Sequence, residues 1–369
     1  MKVVFLARWY PHKYDPMFGL FVQRHAEAAA LNDDITVVYV HPDENANRKY
    51  DIERIQENGV DTIRIYYKKV GRLNSAWRYY RSCLKGLQLA GTPDLFHVHV
   101  LTRMGLVAYR QHKRHGIPYL ITEHWSRYLP NNDFNGWLRK KLTRKVVKNA
   151  KAVTTVSEIL AQAMQNHGLK NPNYHILPNV VDTNLFKPIP HHNEVPKIVH
   201  VSCFEDKSKN ISGLLEALKV MKDKGVPYQA VLIGEGMDLE AMKQRTVDLE
   251  LTDKVRFTGL LQGQALVDEL ATSDFFVLPS HYETGGIVLL EALACGLPLV
   301  AAKVGALPEI VNENNGVLVA PGDIQALADA MTQCCQSYGD YDPEVLRKQV
   351  VERYSKEKVG NLIHQLYSS

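Results

Sequence analysis

Short runs rich in β-branched residues recur along this chain, each separated from the next by a stretch long enough to form a helix. The first half carries KVVFLA, ITVVYV, DTIRIYY, DLFHVHV, PYLITEH and KAVTTVS, and the second KIVHVSCF, QAVLIG, KVRFTG, DFFVLPS, LPLVAA and GVLVA. Strand–helix alternation of this kind is the pattern of a parallel, doubly wound sheet. Two such series, in a chain of 369 residues that is too long for one ordinary core, predict an α/β protein of two Rossmann-like domains. The first domain is placed at 1–185, with a basic helix between Phe134 and Asn149. The stretch FKPIPHHNEVP, 186–196, concentrates prolines and polar residues and is expected to be a linker. The second domain follows at 197–350, and 351–369 holds a last helix, Lys356 to Tyr367. Ligands of open parallel sheets bind beyond the carboxyl ends of the strands, so the expected active site is a cleft where the two domains face each other.

Composition narrows the partners. A formal net charge of +4, with 23% charged and 45% apolar residues, describes a globular chain rather than a disordered or nucleic-acid-coating one. Cys83, Cys203, Cys295, Cys334 and Cys335 make neither a disulfide framework nor a paired zinc spacing, which points to a reducing compartment. The opening MKVVFLARWYP is too short an apolar run for a signal-peptide core, so a cytoplasmic location is expected. The apolar run from Gly285 to Ala302 is broken by Glu291, Gly296 and Pro298, and is read as helix, turn and strand rather than a membrane span.

The most informative segment is ETGGIVLLEALACGLP. Gly285 and Gly286 fall at the expected start of a helix, where free N–H groups and the positive end of the helix dipole suit a phosphate or a sugar hydroxyl. Glu291, about one and a half turns further on, offers a carboxylate able to accept from two vicinal ribose hydroxyls. Two glutamates with seven residues between them are, by themselves, most often a surface residue ahead of an ordinary buried helix.

Context changes that reading. Glu283, seven residues, Glu291 and then ALACGLPLVA resembles the signature of glycosyltransferase family four, the retaining enzymes of GT-B fold. Further similar stretches follow in the family's order: HVHV at 97–100, PYLITEH at 118–124, VTTVSE at 153–158, ILPNVVD at 176–182, SKN at 208–210, VLIGEG at 231–236, VRFTG at 255–259 and FVLPS at 276–280. The resemblance implies that Glu283 lies against a donor sugar, that Glu291 holds the ribose, and that Thr284, Gly285, Gly286 and Ile287 meet sugar and phosphate through their backbone. It also implies that Lys209 binds the diphosphate, that His124 faces the sugar, that Gly19 lies in a loop near the donor phosphates, and that the last helix returns to the first domain. The catalytic set is then His124, Lys209 and Glu283. The co-substrate is a nucleotide-diphospho-sugar, UDP- or GDP-linked, and no metal or other cofactor is expected.

The chain departs from the family pattern at two positions. Gly285 stands where an aromatic residue is common, and Cys203 where an arginine usually clamps the diphosphate, a bidentate contact that a thiol cannot reproduce. Cys203 is expected to be a small core residue at a strand end. His97 and His99, alternating on one strand, are read as structural. Gly19 is equally well explained by backbone geometry alone.

The segment FNGWLRKKLTRKVVKNAK, 134–151, carries Arg139, Lys140, Lys141, Arg144, Lys145, Lys148 and Lys151 beside Trp137 and Phe134. It is read chiefly as a solvated helix face, with Val146 and Val147 in the core. Peripheral contact with the inner face of a membrane is the other reading, which would suit a lipid-linked acceptor. Asp340 and Asp342 follow no central strand and are assigned no metal. The expected function is sugar transfer with retention to a glycan or lipid-linked acceptor, in cell-surface polysaccharide synthesis. A catalytically inactive nucleotide-sugar-binding partner and a nucleotide-sugar epimerase of the same architecture are the alternatives; interconversion of donor sugars without acceptor would reveal the epimerase.

Overall fold

The computed structural model describes residues 1–45, 48–130 and 134–369, and the side chains of all of these except 72, 73 and 102. The chain divides into two compact units, Met1–Val180 with Lys356–Ser369, and Val181–Ser355. The first contains β1 (Lys2–Ala7), β2 (Asp34–Asp43), β3 (Tyr50–Glu57), β4 (Val60–Lys68), β5 (Leu95–His99), β6 (Tyr119–Glu123), β7 (Ala152–Thr155) and β8 (Tyr174–Ile176). They form one sheet in the order β3-β4-β2-β1-β5-β6-β7-β8, parallel throughout except for the β3–β4 pair. The second contains β9 (Lys197–Val201), β10 (Gln229–Ile233), β11 (Val255–Gly259), β12 (Phe275–Leu278), β13 (Leu299–Ala302) and β14 (Gly316–Val319), in the order β11-β10-β9-β12-β13-β14 and all parallel.

Side chains alternate across each strand, so every central strand feeds two cores. Val4 and Leu6 of β1 join one apolar cluster, while Val3, Phe5 and Ala7 join the other. In the second unit Val199 and Phe276 pack on one face, and Ile198 and Phe275 on the opposite one. A sheet buried on both faces has no room for uncompensated charge along its strands.

The antiparallel strand β3 is absent from the sequence reading. It is an edge strand, mostly exposed, that returns into β4 through Asn58 and Gly59, both at positive φ. That is the geometry two-residue hairpins favour, and Asn-Gly is its usual sequence.

The boundaries also differ from those expected. The first unit ends at Val180, and 186–196 is no free linker, because its polar residues are bound into the second unit. Asn193 donates to Asp274 Oδ2 at 3.1 Å and to the Thr272 carbonyl at 3.0 Å, while His191 Nε2 lies 3.3 Å from Asp274 Oδ1. Phe186 is buried, and Arg347 donates to the carbonyls of Phe186 and Thr183 at 2.6 and 2.7 Å. The second unit likewise runs on to Ser355, where Val181 N–H donates to the Tyr354 carbonyl at 2.9 Å.

Helix Lys356–Ser368 belongs to the first unit and packs on helix Leu20–Ala29. Lys356 pairs with Glu27 at 3.1 Å, His364 with Asp33 at 2.9 Å, and Tyr367 Oη lies 2.7 Å from His97 Nδ1. Among the described residues no helix is long and apolar enough to cross a membrane. The two helices meet closely at Gly360, where a Cβ would stand 2.4 Å from the Ala28 carbonyl oxygen. Gly360→Ala should therefore push the terminal helix off the first unit and destabilise it by about 1–3 kcal/mol. The check is a lowered thermal midpoint with the far-ultraviolet spectrum of the folded protein retained.

Candidate active site

In the second unit the charged residues collect just past the carboxyl ends of β9 and β12. Lys209 ends a short helix, Asp206–Lys209, after β9, and Glu283 lies in the loop between β12 and helix Ile287–Ala294. Their side chains meet as an ion pair, Lys209 Nζ to Glu283 Oε2 at 2.7 Å, with 18% and 14% of the two side chains exposed.

Several contacts align the two loops. Asn210 donates to the Pro279 carbonyl at 3.2 Å, and His281 N–H to the Ser208 carbonyl at 2.9 Å, so the loop after β9 is fastened to the end of β12. Asp206 accepts from the N–H and hydroxyl of Ser212, in the first turn of helix Ile211–Asp223, at 2.8 and 2.7 Å. Glu283 Oε1 accepts from Thr284 N–H at 3.0 Å, and its main-chain carbonyl accepts from Ala306 N–H at 3.2 Å. Burial pulls Lys209 toward neutrality, but the facing Glu283 carboxylate outweighs it and holds the ammonium pKa above the ordinary lysine value. Burial likewise pushes Glu283 up; Lys209 and the N–H groups of Thr284 and Gly285 outweigh it and hold the carboxyl below the ordinary range. Both groups are charged at neutral pH.

Gly286 is the N-cap of helix Ile287–Ala294, at φ 52° and ψ 35°. The left-handed backbone of this turn favours glycine, and a Cβ there would lie 2.9 Å from Ile310 Cδ1, displacing that methyl. The Lys209 ammonium and the backbone leading into this helix are donors suited to an anion, and here the Glu283 carboxylate engages them. Glu291 lies on the same helix and is 5% exposed. Cys203 is exposed beside Lys209, not packed in the core as expected, because β9 has already ended at Val201. Ser280 was singled out only within a longer motif; its Oγ is buried at the end of β12 without a hydrogen-bond partner.

His124 belongs to the first unit, directly after β6, and is 6% exposed. Its Nε2 lies 3.2 Å from His99 Nδ1, and its ring packs on Phe21 at 4.6 Å. Burial, reinforced by His25 and His97, drives its pKa well down, leaving a neutral imidazole. Glu123 fixes the surrounding loops: buried, it accepts from the backbone N–H groups of Leu101, His124 and Trp125 at 3.0, 2.9 and 3.0 Å. No sequence motif marked Glu123 as distinct from the strand that contains it.

His97 is structural as expected, bonded to Tyr367 Oη and to Thr122 Oγ1 at 2.7 and 2.6 Å. His99 instead touches His124. Gly19, at the start of helix Leu20–Ala29, presses on the backbone of Trp9 and Tyr10, where a Cβ would come within 2.4 Å of the Trp9 carbonyl carbon.

Ring nitrogens of His25, His99 and His124 lie within 4.8 Å of one another and form a possible metal-ligand set. Both nitrogens of His25 already face carbonyls, Phe21 O at 2.8 Å and Pro178 O at 2.9 Å. Ligation through His25 would sacrifice one of these bonds, so the trio fits a metal poorly.

Two doubly wound units, with charged loops at the carboxyl ends of their strands, define a two-domain α/β protein of Rossmann-like build. Residues 181–352 match the family model for glycosyl transferases group 1 and residues 22–185 that for glycosyltransferase family 4, so the chain belongs to these glycosyltransferases. It is 26% identical, over an alignment of 400 residues covering 100% of this chain and 98% of the other, to the putative teichuronic acid biosynthesis glycosyltransferase TuaC of Bacillus subtilis strain 168. Among solved structures, sucrose-phosphate synthase from Thermosynechococcus elongatus superposes with TM-score 0.82 at 20% identity, over 100% of this chain and 98% of that one. HepE from Anabaena in complex with UDP gives 0.76 at 18% identity over the whole of both chains. The fold is therefore GT-B.

Removing Lys209 leaves Glu283 with a burial penalty and no counter-charge. Lys209→Met should cost about 3 kcal/mol at pH 7. The sign follows from the shifts: the depressed Glu283 contributes stability above the ordinary glutamate value that is lost as pH falls through its folded pKa. The raised Lys209 contributes below the ordinary lysine value and is lost as pH rises through its own. The gap between wild type and variant, measured by denaturant melts, should be widest near neutrality and narrow below about pH 4.

Proposed function

We propose that this chain transfers a sugar, with retention of anomeric configuration, from a nucleotide-diphospho-sugar to a glycan or lipid-linked acceptor in polysaccharide or glycoconjugate synthesis. The observation that carries the proposal is the Lys209–Glu283 pair at the start of helix Ile287–Ala294, since it gathers an ammonium, a carboxylate and a helix N-terminus at one point. The family match supports a sugar transferase, the TuaC likeness a role in polymer synthesis, and the UDP of HepE a nucleotide-diphospho-sugar donor.

In this reading Lys209 and the N-terminus of the helix neutralise the departing diphosphate, charge stabilisation that is in place before the bond breaks. No metal or other cofactor is invoked. Glu283 exchanges its contact with Thr284 for a hydroxyl of the sugar, whose ring becomes oxocarbenium-like as the C1–O bond lengthens. Thr284, Gly285, Gly286 and Ile287 meet sugar and phosphate through the backbone, and Glu291 accepts from the ribose hydroxyls. His124 offers Nδ1, which makes no hydrogen bond among the described residues, to a sugar hydroxyl. Gly19 keeps its backbone open to the donor phosphates. The acceptor hydroxyl attacks C1 on the face the diphosphate leaves, and its proton passes to the leaving phosphate oxygen. No covalent enzyme intermediate is required.

Titration calorimetry with UDP, GDP and ADP is the direct test. One nucleotide should bind selectively, and Glu291→Ala should weaken it at least about tenfold, as expected for losing hydrogen bonds to a charged group. With that donor, Lys209→Ala should lower kcat more than it raises KM, EDTA should leave the rate unchanged, and the product's anomeric coupling should match that of the donor. Failure of all three nucleotides to bind would refute the reading.

A further inference from the structure

A cavity of about 420 Å³ lies in the first unit at the carboxyl edge of the sheet. Arg8 follows β1, Arg103 lies just past β5 and Arg127 just past β6, three strands that are neighbours in the sheet. Arg139 is added from helix Trp137–Lys148. Among the described residues no carboxylate lines the cavity, and Arg8, Arg103 and Arg139 have no ion-pair partner. Arg127, stacked 3.4 Å from the centroid of Trp125, is matched electrostatically by the buried Glu123.

The rest of the lining is apolar. Leu106, Leu138 and Leu142 expose 39%, 58% and 37% of their surface, and the rings of Trp125 and Phe134 continue the wall. Converging guanidinium groups without counter-charge repel one another until an anion enters, and a phosphate has enough oxygens to serve several of them at once. A carboxylate offers only two oxygens. An inorganic anion would leave the leucines in water, and a neutral apolar ligand would leave Arg8, Arg103 and Arg139 without a counter-charge.

We infer that this cavity binds the phosphate group of a phosphorylated amphiphile, whose hydrocarbon chain lies along Leu106, Leu138 and Leu142. Naming that amphiphile as the carrier end of the sugar acceptor rests on the transferase reading; the binding itself does not. Arg103 and Arg139 are exposed side chains, so replacing them leaves the fold in place.

The test is calorimetric titration of the full chain with decyl phosphate below its aggregation limit, against decanol and inorganic phosphate, with the nucleotide titration run on the same samples. Decyl phosphate should bind saturably and at least tenfold more tightly than either control. Arg103→Gln with Arg139→Gln should weaken it at least tenfold while nucleotide binding is unchanged. Equal binding of inorganic phosphate, equal binding of decanol, or unaltered binding in the double variant overturns the inference. Nucleotide binding without decyl phosphate binding overturns it and leaves the transferase reading standing; the converse supports it and removes that reading. Phosphatidylglycerol vesicles distinguish the source: cosedimentation lost in the double variant supports a bilayer headgroup as the phosphate, and cosedimentation retained while decyl phosphate binding is lost supports a dispersed amphiphile.

Discussion

Parallel strands covered on both faces must be nearly all apolar, and this constraint decides where chemistry can be placed in the protein. Charge has no partner between the strands and the helices, so it is moved to the loops that leave the strands' carboxyl ends. Lys209 and Glu283 reach those loops from β9 and β12, which are neighbours in their sheet. Arg8, Arg103 and Arg127 do the same from β1, β5 and β6 in theirs. Each unit therefore concentrates its polar chemistry at one edge, with adjacent strands rather than adjacent residues bringing groups together.

The exceptions are instructive. His97 and His99 lie inside β5, and the cost of burying them is met differently. His97 is bonded at both nitrogens, once to the terminal helix through Tyr367, and so anchors that helix to the sheet. His99 is bonded only through Nδ1, to His124, and its Nε2 is buried without a partner. Burial keeps these imidazoles neutral, which suits hydrogen bonding better than proton transfer near pH 7. Buried Glu123 is tolerated for a related reason. Three backbone N–H groups replace its hydration and, in return, it sets the loop conformations on either side of it.

The glycosyltransferase family, and the order of the strands along the chain, were legible because both depend on local signals. Period, turn residues and short motifs survive without knowledge of distant contacts, and all of the strand runs noted in the two halves of the sequence are strands in the structure. Of the strands the sequence reading missed, β3 and the three-residue β8, β3 lacked the apolar run that marks a buried strand. Its exposed edge position permits charge, and only the Asn58-Gly59 turn announced it. The linker reading failed because proline and polar content describe irregular backbone, not mobility. The bonds from Asn193 and His191 to Asp274 hold that irregular segment on the second unit.

The sequence by itself determined the α/β class, the existence of two parallel sheets, the glycine at the start of helix Ile287–Ala294 and the two glutamates around it. These follow from periodicity and from spacing within a single segment. Only the tertiary structure decided that Lys209 closes on Glu283, 74 residues away, that Cys203 faces solvent, that Glu123 governs the loops beside His124, and that arginines from three strands surround one apolar-walled cavity. The physical reason is strand order. A parallel sheet places β9 beside β12 and β1 beside β5, and the crossings that make those neighbours leave no periodic trace in the chain.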